Sequence, residues 1–285
     1  MKILLTGSGG QLAQALLPCL HSQGYEVHGV DHAQCDITVP DLIETVFSAV
    51  KPAAVINCAA YNQVDRAEAE PAAAFAVNAC GPLYLARACK AHGATLLHIS
   101  TNYVFDGASN QPYRETDCPR PLSVYAASKL SGENLAQSHW ERCYIVRTTG
   151  LYGLAGRTTR QGNFVETMLR LAAAGSDIRV VNDQWLTPTA AADLAPALVR
   201  LLASNRFGIY HLTNSGSTTW FDFARAVFDL AGLSPRLLPV SSQEYRVAAR
   251  RPAYSVLANA AWNALGFPTL PPWQNSLTRF FAARN

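Results

Sequence analysis

The sequence has no long apolar run, and nothing in it approaches the ~18 residues that a membrane-spanning helix requires. The apolar stretch Ile3-Leu4-Leu5 is too short for a secretory leader, and no small-residue cleavage site follows it. Cys-x-x-Cys pairs are also missing. The seven cysteines (19, 35, 58, 80, 89, 118 and 143) are odd in number and dispersed, which argues against a disulfide framework. Several lie in apolar segments, where a thiol behaves as a small hydrophobe, so buried thiols in a reducing, cytoplasmic compartment are expected. The seven histidines are scattered as well; no pair has metal-ligand spacing together with a third ligand, and no metal site is expected. Basic residues do not cluster beyond Arg250-Arg251 and the net charge is only +3, so neither a nucleic-acid footprint nor a membrane-binding one is present. Charged residues are scarce too, at 15% against 49% hydrophobic, which excludes a disordered chain. What remains is a compact protein, and at 285 residues it can bury roughly 75% of its unfolded surface.

Apolar runs of strand length alternate with helix-period segments. Strands are predicted at Lys2–Thr6, Tyr25–Val30, Ala54–Asn57, Thr95–Ser100 and Cys143–Arg147. Helices are predicted at Gln11–Gln23 and Asp41–Val50, from about Arg66 onward with Pro71 and Pro82 as starts or breaks, and at Val124–Gln137. The strands are continuously apolar, as in a parallel sheet covered on both faces, and the alternation indicates an α/β, doubly wound Rossmann sheet. After about Gly150 the texture changes. Shorter helices are expected at Phe164–Ala174, Ala190–Ala203 and Phe221–Ala231, with loop-like stretches at Gly153–Gly162 and Thr213–Thr219 and an irregular stretch at Pro235–Tyr245. The expected organisation is a dinucleotide-binding domain over 1–150, with elements returning to it from about 178–212. A smaller C-terminal lobe for substrate would comprise 151–177 and 213–285.

Directly after the first strand comes Gly7-Ser8-Gly9-Gly10-Gln11-Leu12-Ala13. A strand that turns tightly into a helix while its backbone approaches a pyrophosphate needs glycines, and the helix N-terminus then offers free N–H groups to the anion. Gly7-x-x-Gly10-x-x-Ala13 keeps that spacing, with a methyl group at the last position. Asp31 ends the second strand, 21 residues beyond Gly10, where a carboxylate accepts from the adenosine ribose and repels a 2′-phosphate. NADH and NADPH are both candidate cofactors, with Asp31 favouring the former. Asp36-Ile37 follows, placed either to bracket the adenine or, for Asp36, to cap a turn.

The strongest chemical signal is Tyr125-Ala126-Ala127-Ser128-Lys129. Tyr and Lys four apart share one helix face. A ketone that accepts hydride becomes an alkoxide, and a tyrosine delivers the proton if a neighbouring ammonium lowers its pKa. Ser100-Thr101, ending the preceding strand, would place hydroxyls beside the carbonyl.

Together with Gly10-Gln11-Leu12, the stretches Asn57-Cys58-Ala59-Ala60-Tyr61, Val77-Asn78-Ala79-Cys80-Gly81-Pro82 and His98-Ile99-Ser100-Thr101-Asn102-Tyr103-Val104-Phe105-Asp106-Gly107 carry a resemblance. So do Asn163-Phe164, Asn182-Asp183-Gln184 and Arg251-Pro252, in order along nearly the whole chain. The sequence resembles the dTDP-4-dehydrorhamnose reductase family of extended short-chain dehydrogenases. The resemblance implies NAD(P)H-dependent reduction of a 4-keto deoxysugar nucleotide by a triad of Thr101, Tyr125 and Lys129. It implies that Ala59, Ala60 and Tyr61 line the cofactor and that Asn78 supports the nicotinamide side. Asn102, Tyr103 and Phe105 would border the sugar, while Asn163, Phe164 and Arg251 would belong to the nucleotide-sugar pocket. The family's Asp is here Asn102, an amide that cannot titrate, and its Trp in Arg-Thr-Ser-Trp-Val-Tyr-Gly is here Gly150. Two other functions compete: an epimerase or dehydratase with transiently used NAD, and a non-catalytic regulatory subunit like the methionine adenosyltransferase accessory subunit. A homodimer through a helical face is common in this class, but no stretch of the sequence identifies such a face.

Overall fold

The computed structural model describes residues 1–157 and 162–284. The first half alternates as its hydrophobic pattern requires: β1 (Lys2–Thr6), α1 (Gln11–Ser22), β2 (Glu26–Val30), α2 (Pro40–Val50) and β3 (Ala54–Asn57). Next come α3 (Val64–Ala67), α4 (Pro71–Phe75), a π turn over Ala76–Cys80, and α5 (Gly81–His92). Then follow β4 (Thr95–Thr101), α6 (Val124–His139) and β5 (Cys143–Thr148). The second half holds β6 (Leu151–Tyr152), α7 (Phe164–Ala173), β7 (Ile178–Val181), β8 (Trp185–Leu186), β9 (Thr189–Ala190) and α8 (Ala191–Ala203). It ends with β10 (Gly208–His211), β11 (Thr218–Thr219), α9 (Trp220–Ala231), β12 (Leu237–Val240), α10 (Ala260–Ala264) and α11 (Trp273–Arg284). No helix among the described residues is long and apolar enough to cross a membrane.

Six strands form one parallel sheet in the order β10-β5-β4-β3-β1-β2. Its apolar strands are covered on both faces. Leu16, Leu194, Leu198 and Leu201 of α1 and α8 pack on one side; Phe47, Leu85 and Cys89 of α2 and α5 pack on the other. The strand order reverses between β1 and β3, and the carboxyl ends of the strands at such a switch point bound the crevice where ligands bind.

Within the stretch 178–212 predicted to return to the sheet, β10 joins it beside β5, while β7 pairs with β12, Ile178 to Leu237 through Val181 to Val240. The stretch 235–245, expected to be irregular, therefore contains a strand. It was hidden because Pro239 interrupts a run too short to show alternation, and parallel pairing with a distant partner leaves no local signature. A separate apolar cluster of Val165, Met168, Ile178, Phe223, Val227, Leu277 and Phe280 gives this lobe its own core. Of the loop expected over 153–162, residues 154–157 form a 3₁₀ turn and 158–161 lie outside the described residues. The seven cysteines are all free, but only Cys35, Cys89 and Cys143 are buried, and Cys118 is exposed.

Candidate active site

A cleft of about 680 Å³ opens at the strand ends, lined by Gly10, Gln11 and Leu12 on the sheet side and by Asn163, Phe164 and Trp220 on the lobe side. That volume lies within the range of small-ligand sites. Tyr125, Lys129, Thr101 and Asn102 form its floor.

The glycine loop is built for close approach. Gly7 has φ +66°, and a Cβ there would stand 2.7 Å from the Ala59 backbone nitrogen, so β1 can turn against the β3 loop only with glycine. Gly10 precedes α1 and no side chain caps that helix, which leaves its first-turn N–H groups directed at the cleft. This cradle fits the pyrophosphate of a dinucleotide. Asp31 stands exposed at the end of β2, its carboxylate accepting from the Gln34 backbone N–H at 3.0 Å. Asp36 caps a turn by accepting from the Thr38 amide (2.9 Å) and hydroxyl (2.8 Å), and the Ile37 side chain packs against Gly81 in the core. Neither Asp36 nor Ile37 offers its side chain to the cleft.

Beyond β3, Ala60 lines the cleft, while the Ala59 N–H donates to Asn57 Oδ1 at 3.1 Å. Asn78 sits in the π turn, and its amide is held by protein groups. Its Oδ1 accepts from the Tyr61 N–H (2.8 Å), and its Nδ2 donates to the Tyr61 carbonyl and to Ser128 Oγ (3.0 Å each). The π turn is what turns this side chain toward the loop that carries Tyr61. The same turn crosses α6 so closely that a Cβ on Gly132 would lie 2.0 Å from the Asn78 carbonyl oxygen, which explains a glycine inside that helix.

Tyr125 and Lys129 share the inner face of α6, which Ser123 caps by accepting from the Ala126 N–H. Tyr125 lines the cleft beside Thr101, the last residue of β4, and meets Tyr103 edge-on at 6.2 Å. Burial pushes the Tyr125 phenol up to about 12, against the lowering by Thr101. The expected lowering by Lys129 is not seen in the free chain, because the ammonium points elsewhere. Its Nζ donates to the Ile99 carbonyl at 2.6 Å and lies 3.3 Å from His98 Nε2. Burial pulls Lys129 down to about 8, opposed by Glu133 and Cys58.

Asn102 proves suited to its place. Its Nδ2 donates to Ser255 Oγ at 2.7 Å and to the Ser255 carbonyl at 3.3 Å, while Ser255 Oγ donates onward to the Trp185 carbonyl. The amide supplies the N–H that the Ser255 carbonyl needs, so it fits this contact between floor and lobe. Phe105 requires correction: it is fully buried, stacked on Tyr113 at 4.2 Å and beneath the Arg147 guanidinium at 5.3 Å, so it borders core and not sugar. The 3₁₀ turn over Asn102–Val104 is what turns it inward. Arg251 is paired with Asp65 (2.7 and 3.1 Å) and donates to the Ala249 carbonyl at 3.2 Å. It braces the cleft rim and does not stand free for an anion.

Asn163 joins the two halves: its Oδ1 caps α7 at the Glu166 N–H, and its Nδ2 donates to Gln11 Oε1 and the Gly153 carbonyl at 3.1 Å each. Phe164 packs on Trp220 at 4.5 Å, forming an aromatic wall. Gly150 has φ +54°, a conformation that strains any other residue, and a Cβ there would press on Leu186 Cδ1 at 2.8 Å. Trp220 and Thr148 are among the lining residues that escaped the sequence reading. Thr148 stands in register with Thr101 on the neighbouring strand, and its buried Oγ1 has no hydrogen-bond partner. A second strand ending in threonine beside the first was the available signal.

The family model described as "RmlD substrate binding domain" matches residues 1–285. A dTDP-4-dehydrorhamnose reductase of Streptomyces griseus is 42% identical over 98% of this chain and 93% of its own. The chain belongs to the dTDP-4-dehydrorhamnose reductase family. The spore coat polysaccharide biosynthesis protein SpsK of Bacillus subtilis is 39% identical over 100% of this chain and 98% of its own length. A dTDP-4-dehydrorhamnose reductase of Bacillus anthracis, solved in complex with NADP, superposes with a TM-score of 0.94 at 38% identity over 99% of both chains. Family membership agrees with the α/β architecture and with the order of the cleft residues along the chain.

Proposed function

We infer that the protein reduces the 4-keto group of a nucleotide-linked deoxysugar, converting dTDP-4-dehydro-L-rhamnose to dTDP-L-rhamnose with NADPH or NADH. The observation that carries this reading is the meeting of Thr101, Tyr125 and Lys129 on the floor of a cleft whose one wall is the glycine loop and whose other wall is the lobe. The bound nicotinamide would supply hydride, and the Gly7–Leu12 loop with the open end of α1 would hold its pyrophosphate. Tyr125 holds the proton that the developing alkoxide requires, and Thr101 stands beside it to orient the keto oxygen. A phenol kept protonated by burial is ready to donate, and stabilising the phenolate it leaves falls to Lys129. The unpaired Thr148 hydroxyl provides a further donor or acceptor for a sugar hydroxyl. Phe164 and Trp220 offer flat apolar surface, and the lobe of 151–177 and 213–285 holds the nucleotide end.

An epimerase or dehydratase needs an additional acid–base pair beside the carbonyl, and the amide of Asn102 offers none. Retention of all three triad members argues against a purely regulatory subunit. The compartment we infer is the cytoplasm, where sugar nucleotide and reduced cofactor meet. The test is oxidation of NADH and NADPH in the presence of enzymatically prepared dTDP-4-dehydrorhamnose, with the sugar product identified. Oxidation with dTDP-rhamnose formed is expected; cofactor binding without oxidation would overturn the assignment.

A further inference from the structure

Beneath Lys129 runs a buried polar chain that the catalytic scheme above does not use: Thr6, Asn57 and His98, each 0–1% exposed. Asn57 Oδ1 receives the Thr6 hydroxyl at 2.7 Å and the Ala59 backbone N–H at 3.1 Å. A backbone N–H can only donate, so the atom it meets is the amide oxygen and the orientation of Asn57 is settled. Its NH₂ group therefore faces His98 Nδ1 at 3.0 Å. An amide NH₂ can also only donate, so Nδ1 presents a lone pair. Burial first, and Lys129 second, hold His98 well below its usual range, so the ring is neutral. A neutral imidazole with a bare Nδ1 carries its proton on Nε2, which lies 3.3 Å from Lys129 Nζ.

We propose that Asn57 locks His98 in its Nε2–H tautomer and that this N–H, directed at Lys129, favours the amine over the ammonium, making Asn57 and His98 positioning residues for the catalytic lysine. An N–H facing an ammonium sets two donors against each other. Facing an amine, it meets the nitrogen lone pair, while a lysine N–H still reaches the Ile99 carbonyl. The other groups around Lys129 act differently. On its own helix, Glu133 favours the charged form, but that carboxylate is already shared by Arg147 of β5 and Ser100 of β4. Cys58, after β3, also favours the charged form, and burial holds its thiol up at about 12. Tyr125, one turn earlier on α6, is likewise a neutral phenol in the free chain. His98 Nε2–H is the one group in this set whose hydrogen bond is made only by the neutral amine. The Nε2–H thus eases Lys129 toward the amine in the free chain, and stabilising the phenolate falls to its protonated form.

The kinetic consequence rests on the reductase reading, but the tautomer is a property of the free chain and is tested without substrate. Long-range ¹H–¹⁵N correlation on the ¹⁵N-histidine-labelled protein reports the protonation of each ring nitrogen, with His98→Gln assigning the signal. His98 is expected to show a pyridine-type Nδ1 and a pyrrole-type Nε2. Both nitrogens should then shift with the midpoint at which the Lys129 Cε resonance titrates. Lys129→Met should leave the tautomer in place, whereas Asn57→Ala should release it to a mixture and raise the lysine midpoint. A proton on Nδ1 in the unmodified protein would overturn the proposal, as would histidine nitrogens that do not respond while Lys129 titrates. Absence of turnover with intact tautomer signals would count against the substrate assignment alone.

Discussion

On the sheet side of the cleft, each functional residue lies within a few positions of a strand end or on one face of one helix: Gly7 after β1, Ala60 after β3, Thr101 at the end of β4, Tyr125 and Lys129 on α6. On the lobe side the corresponding groups are held by contacts that span most of the chain. Asn163 reaches Gln11 across 152 positions, and Arg251 reaches Asp65 across 186. The first wall is set by local geometry repeated along a parallel sheet. The second is assembled only when distant segments meet. The sheet wall should therefore fail in the chemical step or in cofactor binding, and the lobe wall in affinity for the sugar nucleotide.

The largest effect should come from Tyr125→Phe, which removes the proton and little of the shape. Turnover should fall by at least ~10²-fold, the usual worth of a positioned acid, while cofactor affinity measured by fluorescence titration stays within a few-fold. Substantial remaining turnover would point to another donor. Gly7→Ala comes next. A positive φ costs an alanine roughly 1–2 kcal/mol, and its methyl would press on the Ala59 backbone. Cofactor affinity should weaken by about tenfold or more, and an unchanged Kd would show that the loop is not the pyrophosphate cradle.

Asp65→Asn addresses the other wall. It weakens the charged bond that holds Arg251 at the rim, and a partly exposed pair of this kind is worth about 1 kcal/mol. The KM for the sugar nucleotide should rise about fivefold with kcat and cofactor Kd nearly unchanged; a loss of kcat instead would move Arg251 into the chemistry. The smallest effect is on stability. His98 is held well below its usual range, and His211 is pulled down to about 3, both chiefly by burial. In the unfolded chain both take up protons near pH 6.5. Between the folded and unfolded values the unfolded state binds more protons, so stability rises with pH and is lost on acidification below about 6.5. Urea melts from pH 7 to pH 5 should show this slope, and His211→Gln should flatten it by on the order of 1 kcal/mol per pH unit. A slope unchanged in that variant would assign the acid sensitivity to other groups.

The same contrast explains what could be read in advance. β1, β3, β4, α1 and α6 announced themselves through period and punctuation, and with them came Gly10, Thr101, Tyr125 and Lys129 at the cleft. The pairing of β7 with β12 did not, because two four-residue parallel strands carry no mark of their partner. Phe105 was misplaced because one 3₁₀ turn decides whether a side chain after β4 faces cleft or core. Asn78 and Arg251 belong near the site, but their partners are protein groups, and motif spacing cannot distinguish an amide that holds a ligand from one that holds a loop. Trp220 was missed for the plainest reason: it opens a helix of the lobe, far in sequence from anything else it serves.

The side chain of Asn163 begins α7 with its oxygen and holds Gln11, the first residue of α1, with its nitrogen. One amide thus touches both the glycine loop's helix and the lobe, and under the proposed function a ligand that moved one end would act on the other. Any such coupling would be reciprocal by thermodynamic necessity: the factor by which bound dinucleotide changed the affinity for the sugar nucleotide would equal the factor by which the sugar nucleotide changed that for the dinucleotide. An order of addition, with one ligand entering before the other, would then be a statement about rates, written over an equilibrium that this single residue helps to make symmetrical.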